Sequence, residues 1–460
     1  MPERNDQPPP DSCRLLLFRS AAEEVLLRSG PGGFRLPEIE LPANERIAAS
    51  LHRTVRRELG LDVISLYEVS SGDRSEILYH AAVSARPDDN IPIGACWTTV
   101  DSLRPESFSR SNDFHALARF QSNLTAVEQG GPSEPFRNPN WFHHVTAWVS
   151  KVLRPDGVRL SGAFQQLNAS ATFSLIRFET DGRPVWFKAV GEPNLREFHL
   201  TQALSQKCTG FLPRVLACNA RWNAWLAEEA AGIPLSPPAE FRHWESAAES
   251  LARLQILALP HAEELAAAGA RDLSPRQLLS RVAPFLEFIA HRAEGSNSIA
   301  AGPLRGGDWR ALGWAIEDAL CQLDQPHLPQ TLGHMDLNPQ NIFCAGNACL
   351  FLDWAEGSMG CPFFSWEYLV QHFRRRFRAN PCMEKGLRDR YLRSWQPYMT
   401  HRDLENILTL CPLAALFAYA CTLFTSLFER GSMTAAEETY LVGLGRKMVR
   451  MTAREKGVHP

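Results

Sequence analysis

The sequence predicts an α+β protein of more than one domain, and three observations carry that prediction. Residues 14–84 alternate short apolar runs with one helical stretch. Phe173–Phe178 and Val185–Val190 are β-rich runs around Asp181-Gly182, a strong hairpin signal. From about Phe241 onward the patterns are mostly helical, interrupted by one compact segment at 331–362. The chain has 460 residues, roughly three domain lengths. Apolar residues make 45% and charged residues 22%, near the globular average, which excludes a mostly disordered or fibrous chain. Lys plus Arg is 48 against Asp plus Glu 51, so no overall basic field exists to hold nucleic acid.

In chain order, residues 1–12 are polar and Pro-rich and read as a disordered tail without a signal peptide. The first domain, 13–103, is built from apolar runs at 14–18 and 24–27, a Gly/Pro turn at 30–33, a helix over 43–59, and strands near 63–69 and 77–84. Residues 104–139, rich in Ser, Asn, Pro and Gly, read as a linker. Within 140–153, Trp141, Val145, Trp148 and Val152 stand at helical spacing, the core stripe of a helix that docks a second domain. Ile407–Phe428 carries no charge, but it contains Pro412 and stands alone, so it reads as a buried core helix rather than a membrane span. The eleven cysteines include no CxxC pair, and reduced thiols in a cytoplasmic protein fit them better than a disulfide framework.

Chemistry concentrates in LGHMDLNPQNIFCAGNACLFLDW, residues 332–354. A short strand from Ile342 follows Asn341, residues 345–348 turn, and an apolar strand from Cys349 ends at Asp353. Such a hairpin brings the Asn341 amide and the Asp353 carboxylate to one end, a hard oxygen pair suited to Mg²⁺. Asp336, on a loop opened by His334, could orient a hydroxyl and accept its proton. That is the division of labour phosphoryl transfer requires.

The spacing His334-x-Asp336-x₄-Asn341, followed by an apolar strand ending in Asp353 and then Gly360-x-Pro362, resembles the aminoglycoside phosphotransferase and choline kinase branch of the protein-kinase-like superfamily. Met335 and Asn338 depart from the usual Gly and His without removing a catalytic atom. The resemblance implies a two-lobed kinase domain over 151–455, with a β-rich N-lobe at 151–232 and a helical C-lobe at 233–455. It implies Asp336 as the base, and Asn341 and Asp353 as Mg²⁺ ligands. Lys188 would clamp the phosphates of ATP or GTP, and Glu197 would steady Lys188. Glu197 also suits the N3 position of a capping box behind Asn194. The small residues of NASATFS (168–174), among them Ser170 and Thr172, stand where a phosphate loop would be. The stretch 224–232, which includes Glu229, resembles the connection between the lobes whose backbone contacts the adenine. The implied activity is γ-phosphate transfer to a hydroxyl of a small metabolite or antibiotic, with no nucleic-acid or membrane partner. A catalytically silent nucleotide sensor is the alternative. The basic run Arg374, Arg375, Arg376 and Arg378, with Arg388, Arg390 and Arg393 beyond, is either a solvated helix face or a wall attracting an anionic substrate.

Residues 30–61 resemble a second family, Nudix. Glu45, Arg53, Val55, Glu58, Gly60 and Leu61 match its pattern, whereas Ile39, Thr54 and Arg57 stand where it has Gly, Glu and Glu. The resemblance implies a Nudix-like fold that has lost its metal carboxylates and serves as a ligand-binding or docking surface. An unrelated α+β domain whose helix stops at Gly60 is the other reading.

Overall fold

A computed structural model describes residues 12–19, 22–42, 45–69, 78–85, 94–128, 134–294, 306–378, 380–429 and 433–455. The expected tail lies outside these residues except for Ser12, which begins the first strand. The chain forms two compact units, Met1–Leu195 with Val215–Glu229, and Arg196–Arg214 with Ala230–Pro460.

Unit 1 opens with β1 (Ser12–Arg19), β2 (Glu24–Gly30), β3 (Gly33–Arg35), β4 (Glu38–Glu40), α1 (Ile47–Leu59), β5 (Val63–Glu68), β6 (Leu78–Ser84) and β7 (Ala95–Thr99). These strands form one sheet in the order β3-β2-β1-β6-β5, with β4 added to β1 and β7 to β2. In β1, alternate residues enter opposite cores: Leu16 and Phe18 on one face, Cys13, Leu15 and Leu17 on the other. A strand covered on both faces reads as an unbroken apolar run, as 14–18 does. Leu51, Val55 and Leu59 of α1 close one face. The helix starts four residues later than 43, because Arg46 is extended (φ −70°, ψ 133°), and residues 43–44 lie outside the described ones. It ends at Gly60, whose φ of +71° suits a residue without Cβ.

The stretch expected to be a linker is structural. Residues 111–128 form α2 (Ser111–Glu128), and 141–153 form α3 (Trp141–Leu153). Ser and Asn suggested loop, but Ala116, Leu117 and Phe120 supply a helical stripe that packs in the core. α2 is anchored by Asp113, fully buried, which accepts bonds from Arg14 (3.0 Å), the Tyr79 hydroxyl (3.0 Å) and the Leu36 amide (3.3 Å).

Next come β8 (Leu160–Ala169), β9 (Ser174–Thr180), β10 (Val185–Ala189), β11 (Val215–Asn219) and β12 (Ala224–Glu228), an antiparallel sheet in the order β11-β12-β10-β9-β8. This sheet and the first were expected to belong to separate domains. They share one core instead, in which Phe18 and Phe120 lie with Trp141, Ile176, Phe178 and Phe187. The Gln166 amide joins them further, accepting from the Ser65 amide (2.8 Å) and donating to the Ser65 carbonyl (3.1 Å) while fully buried.

Unit 2 contains α4 (Arg196–Lys207), β13 (Ile233–Pro234), α5 (Phe241–Ala258), α6 (Ala262–Ala267), β14 (Arg271–Leu273), α7 (Pro275–Leu279), α8 (Val282–Glu294) and α9 (Gly306–Leu323). It continues with β15 (Thr331–His334), β16 (Ile342–Ala345), β17 (Ala348–Phe351), β18 (Gly357–Gly360), α10 (Phe363–Arg376), α11 (Pro381–Trp395), α12 (His401–Glu429) and α13 (Ala435–Glu455). Two three-stranded sheets, β13-β16-β17 and β14-β18-β15, sit among the helices. Among the described residues α12 is the one helix long and apolar enough to cross a membrane, and its Leu404, Ile407, Phe417 and Cys421 are buried in the unit's core. The expectation of reduced thiols meets one exception: Cys344 and Cys349 face each other across the β16–β17 hairpin as a disulfide.

Candidate active site

The site in unit 2 is built on backbone geometry around the β16–β17 hairpin. The strands pair from Ile342–Phe351 to Ala345–Ala348, and Gly346 in the turn has φ +61°. One step beyond the ladder, the Leu352 amide donates to the Asn341 carbonyl at 2.9 Å. Asn341 and Asp353 therefore emerge at the same end of the hairpin. Asp353 has a left-handed backbone (φ +66°, ψ 68°), uncommon outside glycine but tolerated by Asp, and its side chain is exposed.

β15 delivers the loop that carries Asp336. His334 is nearly inaccessible, and its two ring nitrogens are both used. Nδ1 accepts the Asp336 amide (3.2 Å), so Nε2 carries the proton and donates to the Leu352 carbonyl (3.0 Å). One imidazole thus ties the Asp336 loop to the hairpin, and Trp354 packs against it with ring centroids 4.6 Å apart. The Asn341 Nδ2 donates to the Asp336 carbonyl at 3.2 Å. Beneath the loop, the Met335 amide donates to the Glu356 carbonyl, and the Glu356 side chain pairs with Arg271 at 3.0 Å. Burial pushes the Glu356 carboxyl up, and Arg271 opposes that rise. Gly360 is required where β18 passes β14: a Cβ there would stand 2.5 Å from the Leu273 carbonyl oxygen.

Asp336 is half-buried, and its Oδ1 accepts a hydrogen bond from the Tyr368 hydroxyl at 3.1 Å. Burial, then the Asp336 charge, pushes the Tyr368 phenol up, so it stays protonated and donates. Tyr368 was not singled out in the sequence. It stands with His372 and Arg375 at i, i+4 and i+7 of α10, a spacing that puts the three on one helix face.

For a divalent cation, the donor chemistry fits. Asn341 Oδ1 takes no hydrogen bond among the described residues, because the amide is held by its nitrogen, and Asp353 adds a carboxylate. Among the described residues no cluster of three or more His, Cys, Asp or Glu exists, so any such ion would complete its shell with water and phosphate.

The remaining expected residues are distributed over both units. Lys188 lies in β10 of unit 1, between Leu175 of β9 and Trp225 of β12, with its Nζ 5.6 Å from the Trp225 ring centroid and 6.0 Å from that of Phe173. Glu197 is buried in α4 of unit 2. It is the second residue of that helix rather than N3 of a capping box, because Asn194 sits in a turn with its amide bonded to Gly191. In the turn between β8 and β9, the Ser170 hydroxyl accepts from the Thr172 (3.3 Å) and Phe173 (3.1 Å) amides. The Glu229 carboxylate is bonded to Arg177 at 2.6 Å. Of the Nudix-pattern residues, Glu45 is ion-paired with Arg53 and bonded to Ser50 at 2.7 Å, and Thr54 is buried.

No protein-family model matches the chain, and no curated protein matches it. Among solved structures it is similar to the macrolide 2′-phosphotransferase MphH from Brachybacterium faecium, at 15% identity over 65% of this chain and 97% of that one, with a TM-score of 0.44. A choline/ethanolamine kinase family protein from Mesorhizobium loti is 13% identical over 68% and 94%, TM-score 0.45. Choline kinase LicA from Streptococcus pneumoniae is 13% identical over 67% and 98%, TM-score 0.43. At such distances the function rests on the site itself.

Proposed function

We propose that the chain is a small-molecule kinase that transfers the γ-phosphate of ATP or GTP to a hydroxyl. The observation that carries this reading is the half-buried Asp336 carboxylate, held through one oxygen by Tyr368 and tied by His334 to the hairpin end bearing Asn341 and Asp353. With Oδ1 engaged, Oδ2 is the oxygen that would receive the acceptor hydroxyl and its proton, and the Tyr368 donor limits rotation of the carboxylate. Asn341 and Asp353 would hold Mg²⁺, which would offset phosphate charge. Lys188 would hold the nucleotide phosphates. Ser170, Thr172 and Glu229 would line the nucleotide site.

One observation favours the silent-sensor alternative. Ser170 already occupies the Thr172 and Phe173 amides, groups a phosphate would otherwise engage. Phosphoryl transfer from Mg·ATP and Mg·GTP to a panel of hydroxyl compounds separates the two. The kinase reading expects product that disappears in Asp336→Ala. Nucleotide binding without product across the panel would favour the sensor. Product that persists in Asp336→Ala would overturn the role given to Asp336.

A further inference from the structure

The β2–β3 hairpin of unit 1 sets two arginines directly opposite one another. Arg28 of β2 pairs with Arg35 of β3, so both side chains leave the same face of the sheet. Like charges in that position repel and cost stability. Other arginines of the same region are neutralised: Arg14 by Asp113 (3.0 Å), Arg19 by Glu24 (2.7 Å) and Arg110 by Glu38 (3.4 Å). Arg28 and Arg35 make no ion pair among the described residues. The acids closest to them in sequence, Glu24 and Glu38, are the ones bonded to Arg19 and Arg110.

Arg35 is held in place by groups that leave its charge uncompensated. Its Nε donates to the Ser109 hydroxyl at 3.0 Å, and that hydroxyl donates onward to the Phe34 carbonyl at 3.3 Å. The Ser109 amide donates to the same carbonyl at 3.0 Å, which fixes the serine to β3. Gly30 lies against the guanidinium: a Cβ there would stand 3.5 Å from Nε and 3.7 Å from Cζ. With Nε engaged, the two terminal nitrogens carry the remaining donors. Arg28 is exposed and lies two residues before Gly30 on the same face, a span of about 6.6 Å along the strand. That is within the length of an arginine side chain, so a second guanidinium reaches the place where Arg35 is pinned.

We propose that Arg28 and Arg35 hold the dianionic phosphate of a small, soluble phosphate monoester. Two cations match its two charges, and two guanidinium forks match its three terminal oxygens, whereas a carboxylate satisfies one fork. Ala95, the partner of Arg28 on its other side, adds neither bulk nor charge beside the phosphate. A single pair of cations is too few for an anionic membrane or a nucleic acid, which are held by several at once.

Equilibrium dialysis of the full chain at pH 8 tests this, with EDTA present to remove Mg²⁺ from any nucleotide site. The probes are phenyl phosphate, a dianion, and two monoanions of similar size, methyl phenyl phosphate and benzoate. Phenyl phosphate is expected to bind at least tenfold tighter than either monoanion. Arg28→Ala and Arg35→Ala should each remove about tenfold of that affinity, the size of one charge-assisted contact. Arg19→Ala should leave it unchanged. Without a probe, the denaturant midpoint of Arg28→Ala should equal or exceed that of the wild type, because a repulsion is relieved. Equal binding of the dianion and the monoanions, or indifference to both arginine substitutions, overturns the proposal. A lowered midpoint in both variants with affinity intact gives the pair a structural role and overturns it too. Sedimentation of the chain with phosphatidate vesicles that depends on Arg28 and resists phenyl phosphate overturns the small-molecule assignment.

Discussion

Asp113 in unit 1 and Asp336 in unit 2 each accept a hydrogen bond from a tyrosine hydroxyl, at 3.0 and 3.1 Å, and each has an arginine in its neighbourhood. The resemblance ends there. Asp113 is fully buried, with Oδ1 taken by Arg14 and Tyr79 and Oδ2 by the Leu36 amide. Asp336 is half-buried with one oxygen engaged, and its arginine stands two turns along α10 from the tyrosine's level. A carboxylate whose oxygens are both satisfied inside a core has no capacity left for a ligand, so it stabilises the fold. One satisfied on a single side is held in place and still able to accept a proton.

Replacing each aspartate is the sharpest way to test that contrast. Asp113→Ala strands Arg14 in the core and should cost about 3–5 kcal/mol in denaturant unfolding. A loss below about 1 kcal/mol would show that the network stabilises little. Asp336→Ala should reduce phosphoryl transfer about 10²–10⁴-fold while the unfolding midpoint hardly moves. A large stability loss there would make the two aspartates alike after all.

The next effect in size separates the units by pH. His80 in β6 is enclosed, with Nε2 2.6 Å from the Ser65 hydroxyl, and burial pushes its imidazole down to about 4. Below the ordinary histidine value of about 6.5, the unfolded chain takes a proton that the folded chain refuses, so unfolding becomes easier as pH falls toward 4. The total is on the order of 3 kcal/mol, reached at about pH 4 and absent above about pH 7. His80→Gln should flatten this part of the stability profile measured by chemical denaturation. An unchanged slope would assign the acid sensitivity to other groups.

The smallest effect concerns Tyr368. Tyr368→Phe removes one hydroxyl donor from Asp336 and keeps the ring, so kcat should fall about five- to tenfold. KM for the acceptor should hardly change, because the ring and its packing on Tyr419 and His372 are kept. An unchanged kcat would mean that Tyr368 acts only through packing.

Residues near in sequence and regular in pattern were legible before the fold was known. The hairpin at Asp181-Gly182, the strand that leads to Asp353 and ends two residues before it at Phe351, the helix stopping at Gly60 and the covered run of β1 follow from turn chemistry and periodicity, which act over a few residues. The juxtaposition of Asn341 and Asp353 follows from the same local pairing. Tertiary contact decided the rest. Ser and Asn make α2 look like a loop, yet packing of Phe120 and the Arg14–Asp113 bond, 99 positions apart, hold it as a helix. The same long-range burial merges the two sheets of unit 1 through Gln166 and Ser65. It also sets Tyr368 against Asp336, Tyr419 against Tyr368 and Tyr440 against Tyr419, although the three come from different helices. Spacing along the chain names a carboxylate and its hairpin. Which side chains stand opposite it depends on how helices far apart in sequence bury their apolar faces, and no local pattern encodes that choice.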